Sequence, residues 1–172
     1  MSKDKKLYKI KKGGLLVENQ TIRELTVEEI EKAMNLVSIV FDEYVAPTYS
    51  KEGVQFFKEI IKTESYIRYV EDEGYVLWGC FYGDKIVGVI GVRAPFHISL
   101  LFVDKDFHKR GIAKKLFVHV LNFYKVSENV NKVTVNSSPY AISMYHRLGF
   151  TDTGREQVTN GIRFTPMEYV IE

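Results

Sequence analysis

The stretch Leu101-Phe-Val-Asp-Lys-Asp-Phe-His-Lys-Arg-Gly-Ile-Ala113 carries three kinds of pattern in succession. It closes a nearly continuous apolar run, His97 to Val103, that reads as a strand buried on both faces. A short polar loop follows. From Gly111 onward, Ile112, Ala113, Leu116, Phe117, Val120, Leu121, Phe123 and Tyr124 make a wide apolar stripe at helical spacing. A buried strand feeding a helix through a glycine-bearing loop brings the free N–H groups of the first helical turn to a strand end. Those donors, with the positive end of the helix dipole, suit an anion such as phosphate. Gly111 allows close backbone approach, Ala113 keeps the first turn open, and Lys109, Arg110 and Lys114 add positive charge. Taken alone, the segment is equally consistent with a purely structural loop.

Upstream of this stretch, Tyr75–Tyr82 and Ile86–Arg93 are rich in β-branched and aromatic residues, and Gly83-Asp84 between them makes a tight hairpin turn. Thr21–Leu25 reads as a first strand. Thr26 then caps a helix striped by Ile30, Ala33, Met34, Val37 and Val40, running to about Tyr44 and ended by Pro47. A second helix is expected over Val54–Ile61. Downstream, Lys132–Asn136 is a short strand, and Ser138-Pro139 is read as a helix start with Ser138 as N-cap. Gly149 is the expected left-handed residue after that helix, with Phe150 packing back. Asn160-Gly161 joins two final strands in a hairpin. Helices and hairpins alternate, so the chain is an α/β (α+β) protein with a mixed sheet covered by helices.

The 172 residues suit one domain, 21–172, after a basic tail over residues 1–20 that is expected to be flexible. Residues 1–12 hold six lysines against Asp4, a net charge of +5, so the rest of the chain carries −3 of the overall +2. An acidic body with no basic stripe along any helix argues against nucleic-acid binding. The single cysteine, Cys80, lies in an apolar run. It permits no internal disulfide and no cysteine metal cluster, and no metal is expected. No apolar stretch has the length of a signal peptide or membrane span, so a cytoplasmic address is the simplest. The phosphate-loop pattern Gly-x-x-x-x-Gly-Lys-Ser/Thr is absent.

The segment His108-Lys-Arg-Gly111-Ile-Ala113 resembles the acetyl-CoA signature of the GNAT superfamily of N-acetyltransferases, Gln/Arg-x-x-Gly-x-Gly/Ala after a strand. A strand ending at Asn136, followed by Ala141, Tyr145 and Gly149-Phe150, resembles that superfamily's second signature, and the element order matches over roughly residues 20–172. One departure is His108, where the family has Gln or Arg. Backbone amides carry much of the pyrophosphate contact in the family, so the departure bears on the side-chain contact more than on binding itself.

The resemblance implies a mostly antiparallel sheet of about seven strands with a splayed parallel pair and about four helices. The pair would be the strands ending at Val103 and Asn136. The pantetheine arm of acetyl-CoA would pair with backbone at Leu101, Phe102 and Val103, and the pyrophosphate would meet His108, Lys109, Arg110, Gly111, Ile112, Ala113 and Lys114. The Val103 N–H would stabilise the oxyanion. Asn136 would contact the cofactor arm or the substrate. Tyr145, by its residue pattern alone a core tyrosine, matches the general acid for the departing thiolate.

The implied reaction is transfer of acetyl to a primary amine of a small molecule or peptide by direct attack in a ternary complex. The alternative is a non-catalytic acyl-CoA-binding regulatory module of the same fold. An amine near pKa 10.4 must also lose a proton. Strand alternation puts His97 and Ser99 on Val103's face provided no bulge intervenes, but the base stays unassigned. Tyr44, Tyr49, Phe56, Phe57 and Tyr66 could line an acceptor pocket, and Asp42 and Glu43 could attract a cationic amine. A solvated helix face explains those two acids as well. Dimerisation is common in the family, though the sequence carries no direct sign of it.

Overall fold

The computed structural model describes residues 20–127 and 130–171. The lysine-rich segment, residues 1–12, lies outside the described residues. The elements are β1 (Gln20–Glu24), α1 (Ile30–Val40), α2 (Lys51–Ile60), α3 (Thr63–Asp72), β2 (Val76–Tyr82), β3 (Lys85–Arg93), β4 (His97–Val103), α4 (Ile112–Ser127), β5 (Lys132–Ser137), α5 (Ile142–Leu148), β6 (Thr151–Asp152), β7 (Gln157–Thr159) and β8 (Ile162–Val170). The eight strands run in the order β1-β2-β3-β4-β5-β8-β6, with β7 pairing β8. Every pairing is antiparallel except β4 with β5.

The sheet is covered on both faces. On one, Ile98, Val133, Val135 and Met167 meet Leu116, Phe117 and Val120 of α4 and Tyr145 of α5. On the other, Leu77, Val89 and Leu100 meet Ala33, Met34 and Val37 of α1 and Tyr66 of α3. The two faces follow from alternation along the strands, and the apolar stripes of α1 and α4 supply the cover.

Several local expectations shift. Thr26 forms a capping box with Glu29, but the first turn, Val27–Glu29, is 3₁₀. After α1 the chain widens into a π-helical turn at Phe41–Val45 before Pro47 breaks it. Ser138 does not cap α5: its carbonyl accepts the Ala141 N–H at 3.0 Å in a turn, and the helix starts at Ile142. Gly149 is left-handed (φ 99°), and the Phe150 N–H returns to the Tyr145 carbonyl at 3.1 Å. Asn160 (φ 49°) and Gly161 (φ 74°) make the hairpin turn.

Two elements escape the sequence reading, α3 and the two-residue β6. The α3 segment lacks a capping side chain at Lys62 and buries only Tyr66. Its helicity is set by tertiary docking, which pattern reading does not register.

The strand β4 packs into both layers, but its burial is incomplete toward its C-terminal end. His97, Ser99, Leu101, Phe102 and Val103 are half-buried, and Ile98 and Leu100 are buried. The β3–β4 register passes from Gly91↔Leu100 to Val92↔Ile98, which leaves Ser99 as the extra residue of a bulge. The bulge reverses which parity faces which layer. Leu101 and Val103 join Ile98 on the α4 side, while Leu100 and Phe102 face the α1 side. Ser99 goes with Leu100, and its Oγ lies 3.1 Å from the Tyr66 hydroxyl. The intact alternation that would have put His97 and Ser99 on Val103's face is therefore broken.

Candidate functional site

Pairing between β4 and β5 is confined to His97↔Thr134 and Ile98↔Val135. Beyond Ile98 the strands part, and the opening leads into a cleft of about 650 Å³. Backbone geometry determines what the β4 edge presents there. The Asp104 N–H donates to the Val87 carbonyl at 2.9 Å, so Asp104 and Val87 are a hydrogen-bonded pair. Alternation then makes Val103↔Gly88 and Leu101↔Ile90 non-bonded pairs, with their N–H and C=O groups turned away from β3 toward the opening. The Val103 carbonyl is taken by His108, whose Nε2 lies 2.8 Å away. A carbonyl only accepts, so Nε2 carries the proton. The Val103 N–H is left facing the cleft.

At the strand's end, Asp104 accepts the Asp106 N–H at 3.0 Å and ion-pairs with Lys85 at 2.7 Å, which pins the start of the loop. Lys109 (φ 60°) and Gly111 (φ 74°) both adopt left-handed backbone. A Cβ on Gly111 would meet no atom within 4 Å. The glycine answers a backbone requirement and leaves open space over the loop. The first bond within α4 runs from the Lys115 N–H to the Gly111 carbonyl at 2.9 Å. The N–H groups of Ile112, Ala113 and Lys114 therefore have no helical acceptor, and these residues line the cleft with Lys109 and Gly111. This is a donor set that fits a pyrophosphate.

Tyr145 reaches the same cleft from α5. It is 4% exposed and packs edge-on against Phe150, with centroids 5.2 Å apart. Burial pushes its hydroxyl well above the usual phenol range, so it holds its proton and acts as a donor. Asn136, on the opposite side of β5 from Val133 and Val135, also lines the cleft.

Of the residues singled out from the sequence for the site, the cleft gathers Ser99, Leu101, Phe102, Val103, His108, Lys109, Gly111, Ile112, Ala113, Lys114, Asn136, Ala141 and Tyr145. Arg110 is off its wall, with its guanidinium 4.8 Å from the Phe107 ring centroid. Tyr49 and Phe57 line it, whereas Tyr66 is buried elsewhere and Phe56 is exposed. Tyr44 packs in tilted contact with His108 and with Tyr140, with centroids 5.2 and 5.1 Å apart. Asp42 and Glu43 are held by Lys58 and Lys105 at 2.8 and 3.2 Å.

His97 is not on the cleft wall. Its Nδ1 lies 2.8 Å from the Thr134 hydroxyl, and burial, with the charge of Arg93, lowers its pKa to about 4. It is half-buried and neutral at ordinary pH.

Sequence reasoning missed Val40, Val45, Tyr140, Met144 and Arg147 as lining residues. Arg147 was legible only as one exposed position of a short helix and Val40 as part of a core stripe, and Val45 lies in the turn after that stripe.

The chain matches the acetyltransferase (GNAT) domain family over residues 45–171. Comparison with curated protein sequences gave no match. Among solved structures, a GCN5-related N-acetyltransferase from Rhodopseudomonas palustris aligns with a TM-score of 0.77 at 16% identity, over 92% of this chain and all (100%) of that one. The PaiA N-acetyltransferase of Thermoplasma acidophilum, in complex with coenzyme A, aligns at 0.73 and 18%, over 89% and 99%. An aminoglycoside 6′-N-acetyltransferase complexed with coenzyme A aligns at 0.63 and 13%, over 87% and 96%. No described helix is long and apolar enough to cross a membrane.

Proposed function

Since this chain belongs to the acetyltransferase (GNAT) family and is an acyltransferase, we propose that it moves an acetyl group from acetyl-CoA to a primary amine by direct attack within a ternary complex. The observation that carries this reading is the inward-facing Val103 N–H. It lies in the same cleft as the open first turn of α4 and the protonated Tyr145.

The pyrophosphate would be held by the amides from Lys109 to Lys114, with Lys109 and Lys114 adding charge. The arm would extend β4 across the opening by pairing with Leu101 and Val103, replacing the ladder that β5 gives up. Acetyl-CoA supplies the thioester. The amine lone pair attacks its carbonyl carbon, and a C–N bond forms as the C–S bond breaks. Negative charge builds on the carbonyl oxygen, and the fixed Val103 N–H is placed to receive it. The sulfur takes up one proton as the amine loses one, giving an amide and a free thiol. Tyr145 can donate that proton. A thiol pKa near 8.5 makes the help useful but not obligatory.

The test is release of free thiol from acetyl-CoA with a panel of primary amines, and mass analysis of the acetylated product. Acetyl-CoA binding without amine-dependent thiol release would overturn the catalytic reading.

A further inference from the structure

The cleft has two chemically different ends. Its cations, Lys109, Lys114 and Arg147, all come from the loop before α4, from α4 itself or from α5. Its other end is walled by Val40, Val45, Tyr49, Phe57 and Phe102. None of the described lining residues is an aspartate or glutamate. The acids on the adjoining turn, Asp42 and Glu43, are exposed and already paired with Lys58 and Lys105. The aromatic wall is firmly built: Phe57 stacks on Phe41 with centroids 4.2 Å apart, and Phe102 lies 6.1 Å from Phe57. Tyr49 offers no charge, because burial raises its hydroxyl to about 12.

A second ammonium group in that end would lose its hydration with no carboxylate among the described lining residues to replace it. An uncharged hydrocarbon body would gain from the same burial. The absence of a carboxylate bears on the reacting nitrogen too. Apolar surroundings favour its neutral, nucleophilic form, with the proton left in solvent on entry. Resting on the transfer reading above, we propose that the acceptor is a monoamine carried on an apolar, aliphatic or aromatic body, and that polyamines and other polycations are discriminated against.

The test uses the wild-type protein with saturating acetyl-CoA and the n-alkylamines from propylamine to hexylamine, 2-phenylethylamine, 1,6-diaminohexane and spermidine. The same amines are titrated calorimetrically into the CoA-loaded protein. The expected kcat/KM rises roughly two- to fourfold per added methylene. Hexylamine should exceed its diamine counterpart by about tenfold or more, with binding in the same order. A flat series, a diamine equal to or better than hexylamine, or no binding by any amine would overturn the acceptor class. Binding in the apolar order without thiol release would sink acetyl transfer and leave the acceptor class standing. Thiol release led by spermidine would do the reverse.

Discussion

The Nε2–H of His108 donates to the carbonyl oxygen of Val103 at 2.8 Å, across the loop that joins β4 to α4. That bond ties down the residue whose N–H faces the cleft. His108→Ala should therefore leave CoA affinity within about threefold, because the proposed phosphate donors are backbone amides. It should lower kcat by roughly tenfold, because the proposed oxyanion donor, the Val103 N–H, is no longer held in place. His108→Gln, which can restore a donor to the same carbonyl, should recover much of kcat. Calorimetry with CoA and steady-state rates separate the two effects, and a variant that loses affinity but keeps kcat would contradict this assignment.

Gly111 tests the helix-terminus account from the other side. Its φ of 74° is the strained region for any residue with a Cβ, yet a Cβ there meets no protein atom. Gly111→Val should cost about 1–2 kcal/mol of stability from backbone strain. It should weaken CoA binding roughly tenfold or more as the loop amides turn and the side chain enters the open space. Chemical denaturation and CoA titration give the two numbers independently.

For Tyr145, the burial that keeps the hydroxyl protonated also makes it unsuitable as a base. Tyr145→Phe keeps the ring on Phe150 and removes only the donor. We expect kcat to fall by roughly 10- to 100-fold with little change in CoA affinity. Unchanged turnover would remove Tyr145 from the chemistry.

His97 gives the fold a dependence on pH. Its folded pKa of about 4 lies below the ordinary 6.5, so the unfolded chain binds a proton that the native state refuses. Above about pH 6.5 both states are neutral there and nothing changes. As pH falls from 6.5 toward 4 stability is lost, and below 4 the loss levels off. The full effect is roughly 3 kcal/mol at most. Replacing His97 by Gln should flatten this segment of the Tm-versus-pH curve. The difference between the two proteins isolates His97 from the carboxylates, and parallel curves would show that His97 does not titrate in this way.

Gly53, in the first turn of α2, is packed against the hairpin turn: a Cβ on it would fall on the Gly161 carbonyl. The Ser50 Oγ caps α2 through the Gly53 N–H at 3.1 Å. Gly53→Ala should push the hairpin off α2 and cost about 1–3 kcal/mol. Phe57 lies one turn further along the same helix, so the acceptor's KM should rise while CoA affinity is kept. A loss confined to CoA binding would place the effect elsewhere.

Much of this architecture was legible because its signals are local. The stripes of α1 and α4, the turn residues Gly83, Asn160 and Gly161, and the stop at Gly149 are each written within a few residues. Here local preference agrees with the final fold. The α3 segment and Ser138 were not legible in this way. One lacks a capping side chain and fully buries only Tyr66, and the other has a capping side chain in a stretch that folds as a turn.

By itself the sequence determined that a buried strand meets a helix at Gly111, and that Lys109, Lys114, Asn136 and Tyr145 accompany it in a recognisable order. Only the tertiary structure decided that the Val103 N–H is free, because this depends on β5 leaving β4 after Ile98. It also decided that Ser99 bulges and takes His97 off Val103's face, since a bulge is a property of two strands in register and not of one. The pairing of Asp42 and Glu43 with Lys58 and Lys105 has the same character. A charge that looks available in one segment is paired with a residue 16 or 62 positions away, and none of the described residues lining the cleft is an aspartate or glutamate.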